Sequence, residues 1–213
     1  MSRRVTEHIL FFREFLRNFH TTGAILPSGR YLAEALTRFA SEKSVPPRKI
    51  LEVGPGTGAV TRQIIAGMGS ADCLDLVELN QTFVEQLERR FRTEPAFRAV
   101  ADCSRVLHCA VEDLPRSDRY HVIVSGLPLN NFAVAEVERI LAALLDLLAP
   151  GGTLSFFEYI AVRPMRALVS GRAERDRLRG IGKALGNLLG RREIRRDAVW
   201  LNVPPAWVHH VRC

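Results

Sequence analysis

The chain has 213 residues, of which 47% are hydrophobic, and it carries a formal net charge of +7. This length allows one α/β domain with a full core and requires no second domain. The chain shows no apolar span of about eighteen residues, which argues against a membrane-spanning helix, and its first residues lack a signal-peptide core, so we expect a cytoplasmic protein.

Four cysteines are present, and no two of them form a C-x-x-C pair. Because most of them lie in apolar, strand-like runs, we expect small buried hydrophobes in a reducing compartment rather than disulfides. No metal site is expected. The cysteines are Cys73, Cys103, Cys109 and Cys213.

Residues 1–45 are predicted to form an N-terminal helical extension. Apolar residues recur at helical spacing within residues 3–19, and arginines flank this stripe. A Phe-rich helix of this kind is typical of a segment that lies in a membrane interface. The alternative is a cap helix that packs on the sheet or covers a ligand. The stripe consists of Val5, Ile9, Phe12, Leu16 and Phe19 and is widened by Phe11 and Phe15.

The run Ile50–Val53 leads into three alternating glycines, Gly54, Gly56 and Gly58, and then into an amphipathic stretch, Ala59–Ala66. This order predicts a strand, a tight turn and a helix. Glycines let the backbone pass close to a ligand, and the helix N-terminus offers it unpaired N–H groups. The spacing G-x-G-x-G differs from the dinucleotide pattern G-x-G-x-x-G and favours a smaller adenosyl ligand over NAD.

The next apolar run, Cys73–Val77, ends at Glu78, twenty residues after Gly58. A carboxylate at the end of a second strand can accept both hydroxyls of a ribose. The alternative role of Glu78 is to cap the helix that begins near Gln81. Together, the glycine turn and Glu78 predict a site for an adenosine with a free ribose diol.

The remaining apolar runs predict a doubly wound sheet. Strands are expected at Arg105–Cys109, at His121–Ser125 and at Thr153–Ile160. A helix is expected at Val134–Leu148, and Pro150-Gly151-Gly152 should stop it. Two closing runs predict an antiparallel hairpin at the sheet edge, with a turn at Pro204-Pro205; these runs are Ile194–Asn202 and Ala206–Val211.

Residues 163–192 are predicted to form a basic insertion after the fifth strand. Residues 163–196 hold eleven Lys or Arg and three acids, a net charge of +8, which leaves −1 for the rest of the chain. Such a block attracts polyanions, either nucleic acid or an anionic lipid surface. The alternative is a solvated helical face.

The segments Glu52–Gly58 and Val77–Asn80 resemble the first two motifs of the class I S-adenosylmethionine methyltransferases. Four longer stretches are similar to the bacterial phospholipid and ornithine-lipid N-methyltransferases, over nearly the whole chain; they are residues 24–30, 52–61, 124–132 and 203–208. The resemblance implies a seven-stranded, mostly parallel α/β sheet over residues 46–213. It also implies methylation, often repeated, of the primary amine of a lipid head group.

The same resemblance implies S-adenosylmethionine as cofactor and S-adenosylhomocysteine as product. The third acidic motif departs from the family pattern, because Ala110 replaces the acid that would accept the adenine amino group. The cofactor contacts are expected from Ser28, Tyr31, Glu52, Gly54, Gly56, Thr57, Gly58, Glu78, Leu79, Ala110, Val111, Glu112 and Ser125. The catalytic residues are expected to be Ser125, Gly126, Leu127 and Tyr159.

In amino-group methyltransferases that act on adenine or glutamine, the motif after the fourth strand resembles Asn-Leu-Pro-Tyr, whose ring stacks on a flat substrate. Here Ser125 replaces the first residue and Leu129 replaces the aromatic one, which favours an amine over a base. The fifth strand, Phe156–Pro164, departs from the phospholipid branch and shifts the preference slightly towards ornithine lipid. A methylated, cationic product suits aromatic faces; the candidates are Tyr31, Phe132, Phe157 and Tyr159.

The expected partners are an amino-lipid substrate and an anionic membrane surface contacted by residues 3–19 and 163–196. We expect a monomer, attached peripherally to the inner face of the cell membrane, with Arg163 or Arg166 pairing the anionic part of the head group. Two alternatives are an RNA adenine N-methyltransferase, which would also explain the basic segment, and a non-catalytic cofactor-binding subunit.

Overall fold

The computed structural model describes residues 27–42, 47–160 and 171–213. Its helices are α1 (Pro27–Leu36), α2 (Ala59–Gly67), α3 (Gln81–Thr93), α4 (Pro95–Arg98), α5 (Val134–Asp146) and α6 (Arg172–Arg192). Its strands are β1 (Lys49–Val53), β2 (Cys73–Val77), β3 (Ser104–Leu107), β4 (Tyr120–Ser125), β5 (Leu148–Tyr159), β6 (Glu193–Val199) and β7 (Ala206–Arg212).

The seven strands form one sheet in the order β3-β2-β1-β4-β5-β7-β6. Strands β1 to β5 pair in parallel, whereas β7 runs antiparallel to both β5 and β6. This confirms the predicted doubly wound sheet with a hairpin at its edge. The strand order reverses between β1 and β4, and a reversal of this kind opens a ligand crevice at the carboxyl ends of the strands.

Helices cover both faces of the sheet. On one face, buried side chains of α5 and α6 pack on strand residues such as Leu51, Ile123 and Leu154. On the other face, α1, α2 and α3 pack on residues such as Ile50 and Val122. Near-continuous apolar strands follow from this arrangement, because a parallel sheet is covered on both sides.

The segment predicted as a basic insertion contains α6, which connects β5 to β6 and packs against α5. Four of its apolar side chains are buried, and burial stabilises each by about 1.5–3 kcal/mol. Residues 172–192 are therefore part of the helical layer of the sheet and not an addition to it. The buried side chains are Leu178, Ile181, Leu185 and Leu188.

Several predicted boundaries were wrong by a few residues. Helix α5 ends at Asp146, and Pro150–Gly152 lie inside β5 instead of stopping the helix. The chain keeps strand pairing through this point because the backbone of Gly151 and Gly152 bonds to Cys213 and a register shift absorbs the irregularity. Strand β3 ends at Leu107, two residues earlier than predicted.

The prediction that the cysteines are buried was wrong for Cys73 and Cys213, which are exposed, while Cys103 and Cys109 are half-buried. Cys73 opens β2 on its solvent side, and Cys213 is the last residue. The apolar stripe of residues 3–19 and the arginines at 163 and 166 lie outside the described residues. No helix in the described ranges is long and apolar enough to cross a membrane.

Candidate functional site

The turn after β1 has a backbone that favours glycine. Gly54, Gly56 and Gly58 have φ angles of 72°, 53° and 81°, in the left-handed region where a side chain is strained. The Gly54 N–H donates to the carbonyl of Val77 at 3.0 Å, which ties the turn to the end of β2. The predicted strand, turn and helix are thus formed, with α2 beginning directly after Gly58.

Gly126, directly after β4, allows the ends of β1 and β4 to lie in contact. The Gly126 N–H donates to the carbonyl of Val53 at 2.8 Å, and a Cβ placed on Gly126 would lie 2.8 Å from the Gly54 carbonyl oxygen. Backbone atoms cannot move away as a flexible side chain could. The glycine turn and the loop after β4 are therefore held against each other at the point where the strand order reverses.

Glu78 lies beside the glycine turn and is 1% exposed. Its carboxylate accepts hydrogen bonds from the N–H of Gly56 at 3.0 Å and from the N–H of Asn80 at 2.8 Å. Burial raises the pKa of Glu78, and these backbone donors oppose the increase. Asn80, and not Glu78, caps helix α3, because the Asn80 side chain accepts a hydrogen bond from the N–H of Thr82.

Glu52, at the fourth position of β1, is also 1% exposed. Burial raises its pKa to about 8, and the nearby Glu78 carboxylate adds to the increase. Its Oε2 atom has no hydrogen-bond partner among the described residues. A buried acceptor without a partner is costly, so this oxygen fits a ligand that brings a donor.

Arg90 of α3 fixes the far side of the turn. Its guanidinium donates to the carbonyl of Thr57, pairs with Glu94 at 2.8 Å and stacks 4.2 Å from the ring centroid of Phe97. Sequence reasoning missed this role, because Arg90 is one of several arginines on an amphipathic helix. No local pattern distinguishes it.

The exit of β3 carries Ala110, Val111 and Glu112, the residues predicted to lie near the adenine. Ala110 is half-buried and its N–H donates to Asp113 at 3.3 Å, whereas Val111 is buried and Glu112 is exposed. The carbonyl of Leu79 accepts a hydrogen bond from His108 at 3.0 Å. These contacts order the segments that follow β2 and β3.

The loop after β4, residues 126–132, is called the β4 loop here. Ser125, just before it, is fully buried, and its Oγ lies 3.4 Å from the N–H of Leu127. Gly126 and Leu127 are half-buried, whereas Leu129 is 2% exposed and packs in the core. Gly126 and Leu127, both predicted as catalytic, are thus partly accessible directly after β4, and Ser125 is buried just before them.

Arg177 of α6 clamps the β4 loop. Its guanidinium donates to the carbonyls of Asn130 at 3.1 Å and Phe132 at 2.5 Å, and it pairs with both oxygens of Glu174 at 2.7 Å. The sequence analysis counted Arg177 within the polyanion-attracting block. The structure gives it a positioning role, which only the packing of α6 reveals.

The remaining predicted residues are Tyr159, Tyr31 and Ser28. Tyr159 is half-buried at the end of β5, stacks edge-to-face on Phe157 at 5.2 Å, and has a pKa raised by burial. Tyr31 lines a separate cavity of about 870 Å³ with Trp200 and Leu201. Ser28 is in the first turn of α1, and its side chain lies outside what the structure describes.

The described residues fit an adenosylmethionine. The glycine turn leaves room for backbone approach, the Glu78 carboxylate suits the ribose hydroxyls, and the unpartnered Glu52 oxygen suits a ligand ammonium. Among the described residues, no three His, Cys, Asp or Glu side chains are grouped to hold a metal ion.

Comparisons with known proteins agree with this chemistry. A family model described as a methyltransferase domain matches residues 50–152. The ornithine lipid N-methyltransferase of Singulisphaera acidiphila is 26% identical over 152 residues, which cover 70% of this chain and 76% of that protein. Ribosomal RNA small subunit methyltransferase A of Synechococcus elongatus is 32% identical over 87 residues, or 40% and 30% of the two chains.

A third relative is a much larger enzyme, of which this chain matches only a small segment. The hybrid PKS-NRPS synthetase lepA of Aspergillus flavus is 27% identical over 161 residues, which are 73% of this chain but 4% of that protein. The chain therefore spans only a small part of two of these three relatives.

Among solved structures, the 1,6-didemethyltoxoflavin-N1-methyltransferase of Burkholderia thailandensis, bound to S-adenosylhomocysteine, superposes with a TM-score of 0.65 at 16% identity. The match covers 97% of this chain and 89% of that one. Such a likeness establishes the fold. The chain is an S-adenosylmethionine-dependent methyltransferase with the class I fold.

Proposed function

We propose that this methyltransferase transfers methyl groups, one after another, to the primary amine of a membrane lipid head group, with ornithine lipid preferred over phosphatidylethanolamine. The observation that carries the proposal is the β4 loop. It has no aromatic platform at the position where base-directed enzymes place a ring, because Leu129 is in the core. Its first residues are half-buried and suit a small, non-planar nucleophile.

An amine acceptor requires help with its proton. A primary amine has a pKa of about 10, so the site must favour the neutral form by desolvation or by hydrogen-bond acceptors. The carbonyl of Gly126 accepts no backbone hydrogen bond from the described residues and is available for an amine N–H. The amine releases its proton to solvent before its lone pair attacks.

Holding the nitrogen in line supplies most of the acceleration, since methyl transfer needs geometry more than a strong base. The bound cofactor supplies an electrophilic methyl group on its sulfonium. The β4 loop orients the nucleophile, and Arg177 fixes the loop through the carbonyls of Asn130 and Phe132.

Fewer aromatic residues remain as candidates for contact with the methylated product than the four predicted from the sequence. Phe157 is 7% exposed and packs in the core, and Tyr31 lines a different cavity. Phe132 and Tyr159 are half-buried near the carboxyl ends of β4 and β5, so we expect these two rings to face the trimethylammonium product.

The relative of comparable length supports the lipid substrate. The chain covers 76% of the ornithine lipid N-methyltransferase but 30% of the ribosomal RNA methyltransferase. The match to the lipid enzyme therefore extends over most of that protein's length, whereas the match to the ribosomal RNA enzyme is confined to a shorter segment.

The test is methyl transfer from labelled S-adenosylmethionine by the full chain. Ornithine lipid, phosphatidylethanolamine, total membrane lipid and total RNA are offered separately, with the Glu78→Ala variant as the cofactor-site control. We expect labelled mono-, di- and trimethylated ornithine lipid. Label in RNA with none in any lipid would overturn the proposal.

RNA adenine methylation is the second candidate. It is supported by the 32% identity to the ribosomal RNA methyltransferase and by exposed cations on α6. Arg172, Arg175 and Lys183 have no ion-pair partner among the described residues and would suit a phosphate backbone. The same assay decides between the two candidates.

A further inference from the structure

The large hydrophobic side chains that are exposed in the described ranges are gathered around the edge hairpin. Trp200, Leu201 and Val203 are 64%, 66% and 73% exposed, and all three lie in the loop between β6 and β7, residues 200–205, called the hairpin tip here. The other two are Ile194, at the far end of β6, and Tyr31, which shares a cavity with Trp200 and Leu201. Clustered apolar exposure marks an interaction surface more than scattered exposure does.

The hairpin tip is ordered by its own hydrogen bonds. The buried Asn202 side chain donates to the carbonyl of Pro204 at 2.7 Å, and the carbonyl of Pro205 accepts the N–H of Ile160 at 2.7 Å. Trp200 contacts Trp207 edge-to-face at 5.9 Å. The apolar side chains are thus presented on a fixed loop, which reduces the conformational entropy lost on binding.

The hairpin tip lies at the same edge of the sheet as the active site. Ala206 pairs with Tyr159 of β5, whereas Ser125 is level with Phe156. The tip therefore begins three residues, or about 10 Å, beyond the level of Ser125. Strand β6 is three strands from β4, a lateral distance of about 14 Å at ordinary strand spacing.

Cations accompany the apolar tip. Arg38 and Arg195 both pair with Asp197, at 2.7 and 2.9 Å, and the Arg196 guanidinium stacks 4.8 Å from the ring centroid of Trp207. Three arginines against one aspartate leave two positive charges beside the tip. An aromatic and apolar tip flanked by arginines is complementary to the interface of an anionic bilayer.

We infer that the hairpin tip docks into the interfacial layer of a membrane containing anionic lipid and thereby sets the active-site edge against the head groups. The inference rests on the proposed lipid substrate. Trp200 supplies an amphipathic ring at head-group depth, Leu201 and Val203 enter the acyl boundary, and the arginines contact phosphates. The head-group amine then has about 10 Å to travel from the surface to the β4 loop.

The chain has two tryptophans, so each can be observed alone. The Trp207→Phe variant leaves Trp200 as the reporter, and Trp200→Phe leaves Trp207 as its matched control. With vesicles containing phosphatidylglycerol and lipids brominated high on the acyl chain, we expect the emission of Trp200 to shift to shorter wavelength and to be quenched. We expect Trp207 to respond far less.

Vesicle binding gives the second measurement. The triple variant Trp200→Ser, Leu201→Ser, Val203→Ser should bind phosphatidylglycerol vesicles roughly tenfold more weakly than the unmodified chain, while Ile194→Ser, exposed at the other end of β6, should bind normally. Thermal unfolding checks that both variants are folded. An unquenched Trp200, or vesicle binding that survives the triple change, would overturn the inference, and so would concentration-dependent dimerisation that the triple variant abolishes.

The failure of this inference and that of the proposed function are distinguishable. If Trp200 inserts but no lipid is methylated, the lipid substrate is wrong and the docking surface stands. If lipid is methylated equally well by the triple variant in vesicles and in detergent micelles, the substrate stands and the docking surface is wrong. We expect the triple variant to lose activity on vesicles and to keep it in micelles.

Discussion

The two halves of the sheet hold their site residues in different ways. In the β1–β3 half, the glycine turn and two buried carboxylates, Glu52 and Glu78, are set by residues close to one another in sequence and strand order. In the β4–β7 half, the β4 loop depends on Arg177, some 45 residues away, and a buried row joins Ser155, His210 and Asp197 across three strands. The turn in the first half is therefore held by residues 22 and 33 positions away, Glu78 and Arg90, whereas Arg177–Phe132 and Ser155–His210 in the second half span 45 and 55 positions.

This difference explains why the chemistry of the first half could be predicted from the sequence, whereas the contacts of the second half could not. A strand, a glycine turn and a carboxylate about twenty residues later recur in nucleotide sites of doubly wound folds. A loop clamped by a helix of the opposite layer varies with that helix. Four changes would sharpen or break the comparison.

The largest effect is expected for Glu52 in the cofactor half. Its pKa is raised from 4.5 to about 8 by burial, so the folded protein retains a proton that the unfolded chain releases. The stability from Glu52 is present at low pH and is lost as the pH rises from about 4.5 to 8, by about 3 kcal/mol between pH 5 and pH 8. Glu52→Gln should remove this loss. Urea unfolding of the cofactor-free protein at both pH values measures it, and equal losses in the two proteins would contradict it.

Glu78 should control cofactor affinity. Glu78→Ala removes the acceptor expected for the ribose hydroxyls and the partner of the Gly56 N–H. Charged hydrogen bonds contribute about 1.5–3 kcal/mol, so calorimetric affinity for S-adenosylmethionine should fall roughly a hundredfold. The Glu138→Ala variant, on the exposed face of α5, is the control. If a folded Glu78→Ala protein kept its affinity for S-adenosylmethionine, Glu78 would not be the residue that binds the ribose.

Arg177 should act on the acceptor and not on the cofactor. Arg177→Ala frees the β4 loop, and we expect methyl transfer at saturating cofactor to fall about tenfold. S-adenosylmethionine affinity should be unchanged, and Arg177→Lys should restore part of the rate. Arg179→Ala removes an exposed pair with Asp176 on the same helix and serves as the control. If Arg177→Ala reduced cofactor affinity as much as the rate, the two halves of the sheet would not act independently.

His210 is expected to have the smallest effect. Burial lowers the pKa of His210 to about 4, although the nearby Asp197 carboxylate opposes this decrease. The Oγ atom of Ser155 lies 2.8 Å from Nδ1 of His210. The unfolded chain binds the proton more readily, so the stability from His210 is present above about pH 6.5 and is lost as the pH falls towards 4. We expect a loss of about 1 kcal/mol between pH 7 and pH 5.5. His210→Gln should lack that component in thermal unfolding followed over this range.

These two pH trends have opposite signs, one in each half. Comparing Glu52→Gln with His210→Gln separates them, since the first variant flattens the alkaline limb of the stability curve and the second flattens the acid limb. If either variant changed both limbs, the halves would be coupled through the sheet.

Sequence patterns predicted the sheet because periodicity and glycine chemistry are local. The strands at β1, β2 and β4, the closing hairpin and the position of Glu78 at the end of β2 all follow from short apolar runs and the residues that end them. Boundaries failed where tertiary pairing overrode a local stop signal, as at Pro150–Gly152. Cys73 was assigned to the core because an apolar run does not reveal which face its first residue takes.

The sequence by itself determined the cofactor chemistry. Only glycine adopts the backbone of the turn without strain, and a carboxylate one strand away completes an adenosyl site. The tertiary structure decided which arginines are structural and which apolar residues face solvent. The guanidinium groups of Arg90 and Arg177 pack against loop carbonyls, which the sequence does not reveal. Trp200, within a run predicted as a closing strand, lies instead in the hairpin tip and is exposed. Side-chain direction is fixed by contacts between distant segments, which a linear pattern does not contain.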